Sequence, residues 1–82
     1  MTDESPLLDM KFILGSMGTD ILNAIAAGAR TIISIRLASG CPEECVKGRL
    51  PVLIDLGLIS KEFNEYLITE RGIQFREIAA LR

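Results

Sequence analysis

Two cysteines are the most chemically reactive residues of this chain. Cys41 and Cys45 lie four residues apart, on either side of a proline and two glutamates that predict the start of a helix. A helix N-terminus raises the reactivity of a thiol. The pair could therefore act as a redox sensor or form a disulfide between subunits, whereas a disulfide within the pair is geometrically awkward. The alternative is that both are small buried apolar residues, with Cys41 the more deeply buried.

The sequence lacks the residue patterns of the other common catalytic and metal-binding sites. The chain contains no histidine, which removes the commonest general base and the commonest zinc ligand. Two cysteines are too few for a structural zinc site within one chain, and the aspartates show no paired-carboxylate spacing. Residues 15–18 lack the lysine and the spacing of a phosphate-binding loop. We therefore expect no enzyme, no cofactor and no metal site.

The length and composition predict one small folded domain. The 82 residues are 49% hydrophobic and 24% charged, which is typical of a globular chain. Isoleucine and leucine supply 11 residues each, against three phenylalanines, one tyrosine and no tryptophan. So many aliphatic side chains are hard to bury within one small monomer, and they indicate a subunit interface.

Charge and hydropathy exclude two further classes of protein. The net charge of −2 argues against a polycation that coats nucleic acid indiscriminately. Residues 1–20 have a local net charge of −3, and residues 21–82 have one of +1. Uncharged runs such as residues 12–19 are far too short to span a membrane, and no signal peptide is recognisable. The sequence therefore predicts a cytoplasmic protein without membrane contact.

The first part of the chain is predicted to form an extension and one helix. Residues 1–17 are the N-terminal extension, within which residues 6–14 fit a short helix that ends at Gly15. Residues 11–14 would serve equally well as a strand. A second helix is predicted over residues 18–28, because its alanine content and apolar spacing both favour helix.

Residues 31–39 fit two structures. Ile33, Ile35 and Leu37 alternate along the chain as in a strand, and the β-branched residues of the segment also favour a strand. Thr31 as N-cap and Gly40 as the closing residue favour a helix. The segment that follows makes the helix the preferred interpretation.

A further helix is predicted over residues 42–56, ending at Gly57. Pro42 suits its first turn, and the two glutamates that follow suit the positive end of the helix dipole. Apolar residues and a glycine recur at three- and four-residue spacing: Val46, Leu50, Leu53, Ile54 and Gly57. Of these, Val46, Leu50 and Leu53 are predicted to face inward. Gly48 and Pro51 weaken this helix from within.

The C-terminal third is predicted to be a β-hairpin and a last helix. Residues 58–60 and 66–68 form the strands, and residues 61–65 form a five-residue loop between them. Thr69 caps the last helix, which runs to about Leu81.

Two phrases of the sequence carry a family resemblance. In the first, a helix passes through a glycine into a strand: Leu50-x-x-Leu53-x-x-Leu56-Gly57-Leu58-Ile59. In the second, a strand passes into a helix cap: Tyr66-Leu67-Ile68-Thr69-Glu70-Arg71-Gly72. In this order and spacing they resemble the winged helix-turn-helix transcriptional regulators of prokaryotes and archaea, such as the MarR-like and ArsR-like groups. The resemblance covers about three quarters of the chain.

The resemblance implies a mainly α fold of the α+β class, with residues 18–82 as the winged-helix domain. Residues 31–39 would be the first helix of the helix-turn-helix unit, and residues 42–56 the recognition helix. Residues 58–68 would form a short two-stranded wing. The C-terminal helix and the N-terminal segment would join two copies into a homodimer.

The resemblance also implies which residues contact double-stranded DNA. A recognition helix places N-terminal side chains against base edges, with basic residues on the phosphates. The positive charges of Lys47 and Arg49 suit contact with phosphates, and the Glu44 carboxylate can accept a hydrogen bond from a cytosine amine. The remaining candidates for phosphate contact are Arg30, Arg36 and Lys61. The predicted function is a small homodimeric transcriptional regulator, and the alternative is a winged-helix module that binds proteins and not DNA.

Overall fold

The chain forms four helices and one small antiparallel sheet. The computed structural model describes residues 5–80, with the side chains of residues 14–79. The elements in chain order are α1 (Ser5–Ala26), α2 (Ile32–Ser39), α3 (Glu43–Asp55), β1 (Ile59–Glu62), β2 (Glu65–Ile68) and α4 (Glu70–Ala80). This order confirms a mainly helical fold of the α+β class. Among the described residues, no helix is long and apolar enough to cross a membrane.

Helix α1 consists of two helical segments that meet at a kink at Gly15, the residue at which the sequence predicts the first segment to end. Its residues are helical on both sides of Gly15, which itself has φ 67° and ψ −175°, a conformation that favours glycine. The strand alternative for residues 11–14 is therefore wrong. Leu14, from the predicted extension, is fully buried in the same core as Ile21. The helix ends at Ala26, two residues before the predicted end.

Helix α2 settles the ambiguity of residues 31–39 in favour of helix. The Thr31 hydroxyl accepts from the backbone N–H of Ser34 at 3.1 Å, and the Ser34 hydroxyl accepts from that of Thr31 at 2.9 Å. This reciprocal pair satisfies two backbone donors at the helix start. Gly40, at φ 76°, closes the helix as predicted.

Helix α3 buries one face and exposes the other. Val46, Leu50 and Leu53 are buried, as their spacing predicts. The helix is one residue shorter at each end than predicted, because Pro42 takes the N-cap position and Leu56 the C-cap position. It continues through Pro51 to Asp55.

The hairpin corrects the predicted five-residue loop. Strands β1 and β2 pair from Ile59–Ile68 to Glu62–Glu65, which leaves only Phe63 and Asn64 in the turn. Phe63 adopts φ 57°, and this left-handed conformation reverses the chain within two residues. The prediction failed because phenylalanine is not a residue that signals such a turn.

The end of α3 and the start of α4 are joined by hydrogen bonds. The Thr69 N–H donates to the Leu58 carbonyl at 3.0 Å, and Arg71 Nε donates to the Leu56 carbonyl at 3.1 Å. The Thr69 hydroxyl accepts from the Gly72 N–H at 3.1 Å and so caps α4. The two phrases that carry the family resemblance therefore contact each other in space.

The core is almost entirely aliphatic and is centred on α1. Helix α1 packs against α2, α3, α4 and β2. Its partners in the core come from every other element: Ile35, Val46, Leu50, Leu53, Leu58, Ile59, Tyr66 and Phe75. Because α1 supplies one wall of this core, α2, α3 and the hairpin all present their other faces to solvent.

Candidate functional site

The outward face of α3 is the surface on which the predicted DNA contacts converge. Glu43, Glu44, Lys47, Gly48 and Pro51 are all exposed, while the opposite side of the helix is buried in the core. The helical periodicity of the sequence predicts this division correctly. Two further residues of α3 are exposed although the sequence does not identify them as outward-facing: Asp55, and Ile54, whose spacing places it with the apolar residues.

The charge of Lys47 is partly balanced within α3 itself. Lys47 Nζ lies 3.8 Å from a carboxylate oxygen of Glu43, one turn earlier, and both side chains are about half exposed. Glu44 adds a second exposed carboxylate at the same end of the helix, and Arg49 is half-buried at its flank. An exposed ion pair of this kind is weak and is screened by salt. A phosphate could therefore compete with Glu43 for Lys47.

A groove between α3 and the hairpin brings Lys47 and Lys61 together. It has a volume of about 380 Å³, and both lysines line it together with Asp55 and apolar side chains of α2 and α3. Lys61 Nζ lies 5.6 Å from the centre of the Tyr66 ring, a distance at which the ring face attracts a cation. The Tyr66 N–H in turn donates to the Arg30 carbonyl at 2.8 Å. This hydrogen bond holds β2 against the segment that precedes α2.

The other two predicted phosphate contacts lie at either end of α2. Arg30 is exposed before the helix begins. Arg36 is exposed near its end, where it lines a hollow with Leu37 and Glu43 beside the turn into α3. The structure thus gathers Lys47 and Lys61 in one groove and leaves Arg30 and Arg36 outside it.

The two cysteines occupy different environments. Cys41 is only 5% exposed and belongs to the core, where its thiol lies 3.9 Å from the Met17 carbonyl. Cys45 is half-buried on α3. Both are free thiols. The burial of Cys41 agrees with its interpretation as a small apolar residue and gives little access for a redox partner.

Sequence reasoning missed a set of exposed apolar side chains on α2 and the hairpin. Ile33 is 62% exposed, Leu37 70% and Phe63 98%. Ile33 and Leu37 are four residues apart on one side of α2, away from the buried Ile35. Their spacing is visible in the sequence, but the exposure of Phe63 follows from the unpredicted turn.

Neither a metal-binding cluster among the described residues nor a known relative indicates the function. The part of the chain that the structure describes contains no group of three or more metal-ligating side chains. No family model, curated protein or solved structure matches the chain. The features that bear on function are therefore the exposed residues of α2, α3 and the hairpin.

Proposed function

We propose that the protein is a small winged helix-turn-helix DNA-binding protein, a cytoplasmic transcriptional regulator that acts as a homodimer. The observation that carries the proposal is the order of α2, the Gly40–Pro42 turn, α3 and a hairpin, in which α3 keeps one whole face free. A helix enters a major groove only if such a face is available. The proposal requires no cofactor and no catalytic step.

The distribution of charge supports this proposal. Residues 30–61 contain five basic and three acidic residues, whereas the rest of the chain contains four basic and eight acidic residues. The excess belongs to residues 30–61 as a stretch of sequence, since α2, α3 and β1 by themselves contain four basic and four acidic residues. A local excess of positive charge attracts phosphates even where the net charge of the chain is negative.

Each candidate residue has a role in this proposal. Lys47 and Lys61, on the two sides of one groove, would contact phosphates of the same DNA segment. Arg49, Arg30 and Arg36 would add phosphate contacts at the flanks. Glu44, exposed in the first turn of α3, would accept from a cytosine amine. Two copies would present α3 to successive major grooves, one helical turn apart.

The test is the fluorescence anisotropy of labelled random duplex DNA with the full chain at low and higher salt. Binding should weaken steeply with salt, and Lys47→Gln should reduce the slope by about 0.9 because one phosphate contact is lost. Gln74→Glu, an equal change of charge on the exposed side of α4, is the control and should leave the slope unchanged. A folded protein that does not bind at roughly 100 μM would overturn the proposal.

A second candidate is a protein-binding winged helix without DNA affinity. The pairing of Lys47 with Glu43 favours it, because the most exposed cation of α3 already has a partner. Under this proposal, replacement of both Lys47 and Arg49 by glutamate would leave the natural activity unchanged. Under the first proposal the same double variant would lose DNA binding.

A further inference from the structure

The exposed apolar residues of α2 and the hairpin turn are together called the α2–turn face. It comprises Ile33, Leu37 and Phe63, all more than half exposed. Ile33 lines a hollow of about 280 Å³ together with Asn64, the residue next to Phe63. The hairpin turn therefore lies beside the first turn of α2, and Leu37 lies one helical turn further along.

Phe63 is unfavourable in an isolated monomer for two independent reasons. Its side chain is 98% exposed to water, so it gains nothing from the hydrophobic effect. Its backbone has φ 57°, a region that costs energy for any residue with a bulky side chain. Glycine or asparagine would avoid both costs at this position. An aromatic side chain held in this way is typical of a residue that is buried by a partner.

The charged residues around these side chains have both signs. Glu62 and Glu65 stand directly opposite each other in the sheet and flank the turn, while Arg36 lies one turn after Ile33 on the exposed side of α2. The two carboxylates would repel a phosphate backbone. They would attract the arginine of a second copy, and the same contact would form twice about a two-fold axis.

We infer that the α2–turn face binds a second copy of this chain in a two-fold symmetric dimer. Phe63 of each protomer packs against Ile33 and Leu37 of the other, and Glu62 and Glu65 approach the partner's Arg36. Arg36 then serves this contact and not the phosphate contact proposed for it above. This surface accounts for part of the aliphatic excess of the sequence. It differs from the predicted dimer surface of α4 and the N-terminal segment. The side chains of residues 1–13 lie outside the described part of the chain, and α4 exposes only Ile73 among its described large apolar residues.

Analytical ultracentrifugation of the full chain over a range of concentrations, without DNA, tests this inference. The wild type should show a monomer–dimer equilibrium, and Phe63→Ser or Leu37→Ser should raise the dimer Kd roughly tenfold or more. Ile73→Ser removes a comparable exposed side chain from α4 and should leave the Kd unchanged. Circular dichroism confirms that each variant is folded.

A charge exchange distinguishes direct contact from a general effect on solubility. Arg36→Glu alone, and Glu62→Arg with Glu65→Arg, should each weaken the dimer, and the triple variant should recover much of the loss. A wild type that stays monomeric overturns the inference, as does a dimer that Ile73→Ser weakens and Phe63→Ser does not. A monomeric wild type would also remove the homodimer from the proposed function. Binding to DNA is measured separately and would still stand, as it would if the dimer formed through another surface.

Discussion

The Thr69 hydroxyl donates a 2.6 Å hydrogen bond to the carbonyl oxygen of Gly57 and so joins the segment after α3 to the residue before α4. Gly57 is at φ 77°, where its carbonyl turns towards the end of β2. The same threonine caps α4 through the Gly72 N–H. One side chain thus fixes the orientation of two helices on either side of the hairpin.

We predict that Gly72→Ala strongly destabilises the protein. A Cβ at Gly72 would overlap the carbonyl oxygen of Leu58 and lie 2.8 Å from Cγ1 of Ile68. Backbone atoms cannot give way cheaply, so the free energy of unfolding should fall by about 3 kcal/mol or more. Urea denaturation followed by circular dichroism measures the change.

Gly48→Ala is the matched control for that variant. A Cβ at Gly48 would meet no atom within 4 Å, and the residue lies inside α3. Alanine should therefore raise the free energy of unfolding by about 0.5–1 kcal/mol. If both alanine variants were equally stable, the close approach of Gly72 to Leu58 would be disproved.

A second prediction concerns the start of α2. Thr31→Ala removes the hydroxyl that accepts from the Ser34 N–H, and it should cost about 1 kcal/mol of unfolding free energy. Thr31→Ser retains the acceptor and should remain within about 0.5 kcal/mol of the wild type. The comparison is made by thermal and urea unfolding. An equal loss in both variants would assign the effect to the threonine methyl group and not to the cap.

The helices could be predicted because their signals are local. Thr31 and Gly40 mark the ends of α2 by cap chemistry, and the burial of Val46, Leu50 and Leu53 follows from spacing alone. The hairpin turn could not be predicted, since no local preference places phenylalanine at φ 57°. The contact of Thr69 with Gly57 joins residues 12 apart, and only the assembled fold brings them together.

In the candidate site, too, the features set by local spacing could be predicted and those set by the hairpin turn could not. Exposure of Lys47 follows from helical periodicity, and its pairing with Glu43 follows from the four-residue spacing. The position of Lys61 over Tyr66 depends on the register of the hairpin, in which these two residues pair. The predicted five-residue loop placed Lys61 outside the strands, so this pairing was not predicted. The exposure of the Phe63 side chain also depends on the two-residue turn.

A third prediction uses the ion pair on α3. Glu43→Gln frees Lys47 and removes a charge that repels phosphate, so affinity for random duplex DNA should rise about threefold at low salt. The gain should shrink at higher salt because the interaction is screened. Fluorescence anisotropy at two salt concentrations measures both effects.

Glu77→Gln controls for net charge in that experiment. It makes the same change at an exposed position of α4, far along the chain from α3. Equal gains from both variants would mean that net charge alone governs binding. A gain confined to Glu43→Gln would support a direct contact between α3 and the phosphates.

The fourth prediction separates the stability of the monomer from its self-association. Phe63→Gly removes a side chain that is 98% exposed and relieves the left-handed backbone of residue 63, so the monomer should gain about 1 kcal/mol of unfolding free energy. The same substitution should weaken the dimer, because the apolar contact with the partner's α2 is lost. Unfolding is followed at low concentration, where the monomer dominates, and association by ultracentrifugation.

Asn64→Gly provides the comparison at the neighbouring turn position. Among the described non-glycine residues, only Phe63 has positive φ, so glycine at position 64 relieves no strain and should not stabilise the monomer. It also leaves Phe63 in place for the partner. A residue that lowers the stability of the monomer and raises that of the dimer is retained for binding. If Phe63→Gly left both quantities unchanged, Phe63 would have no part in self-association.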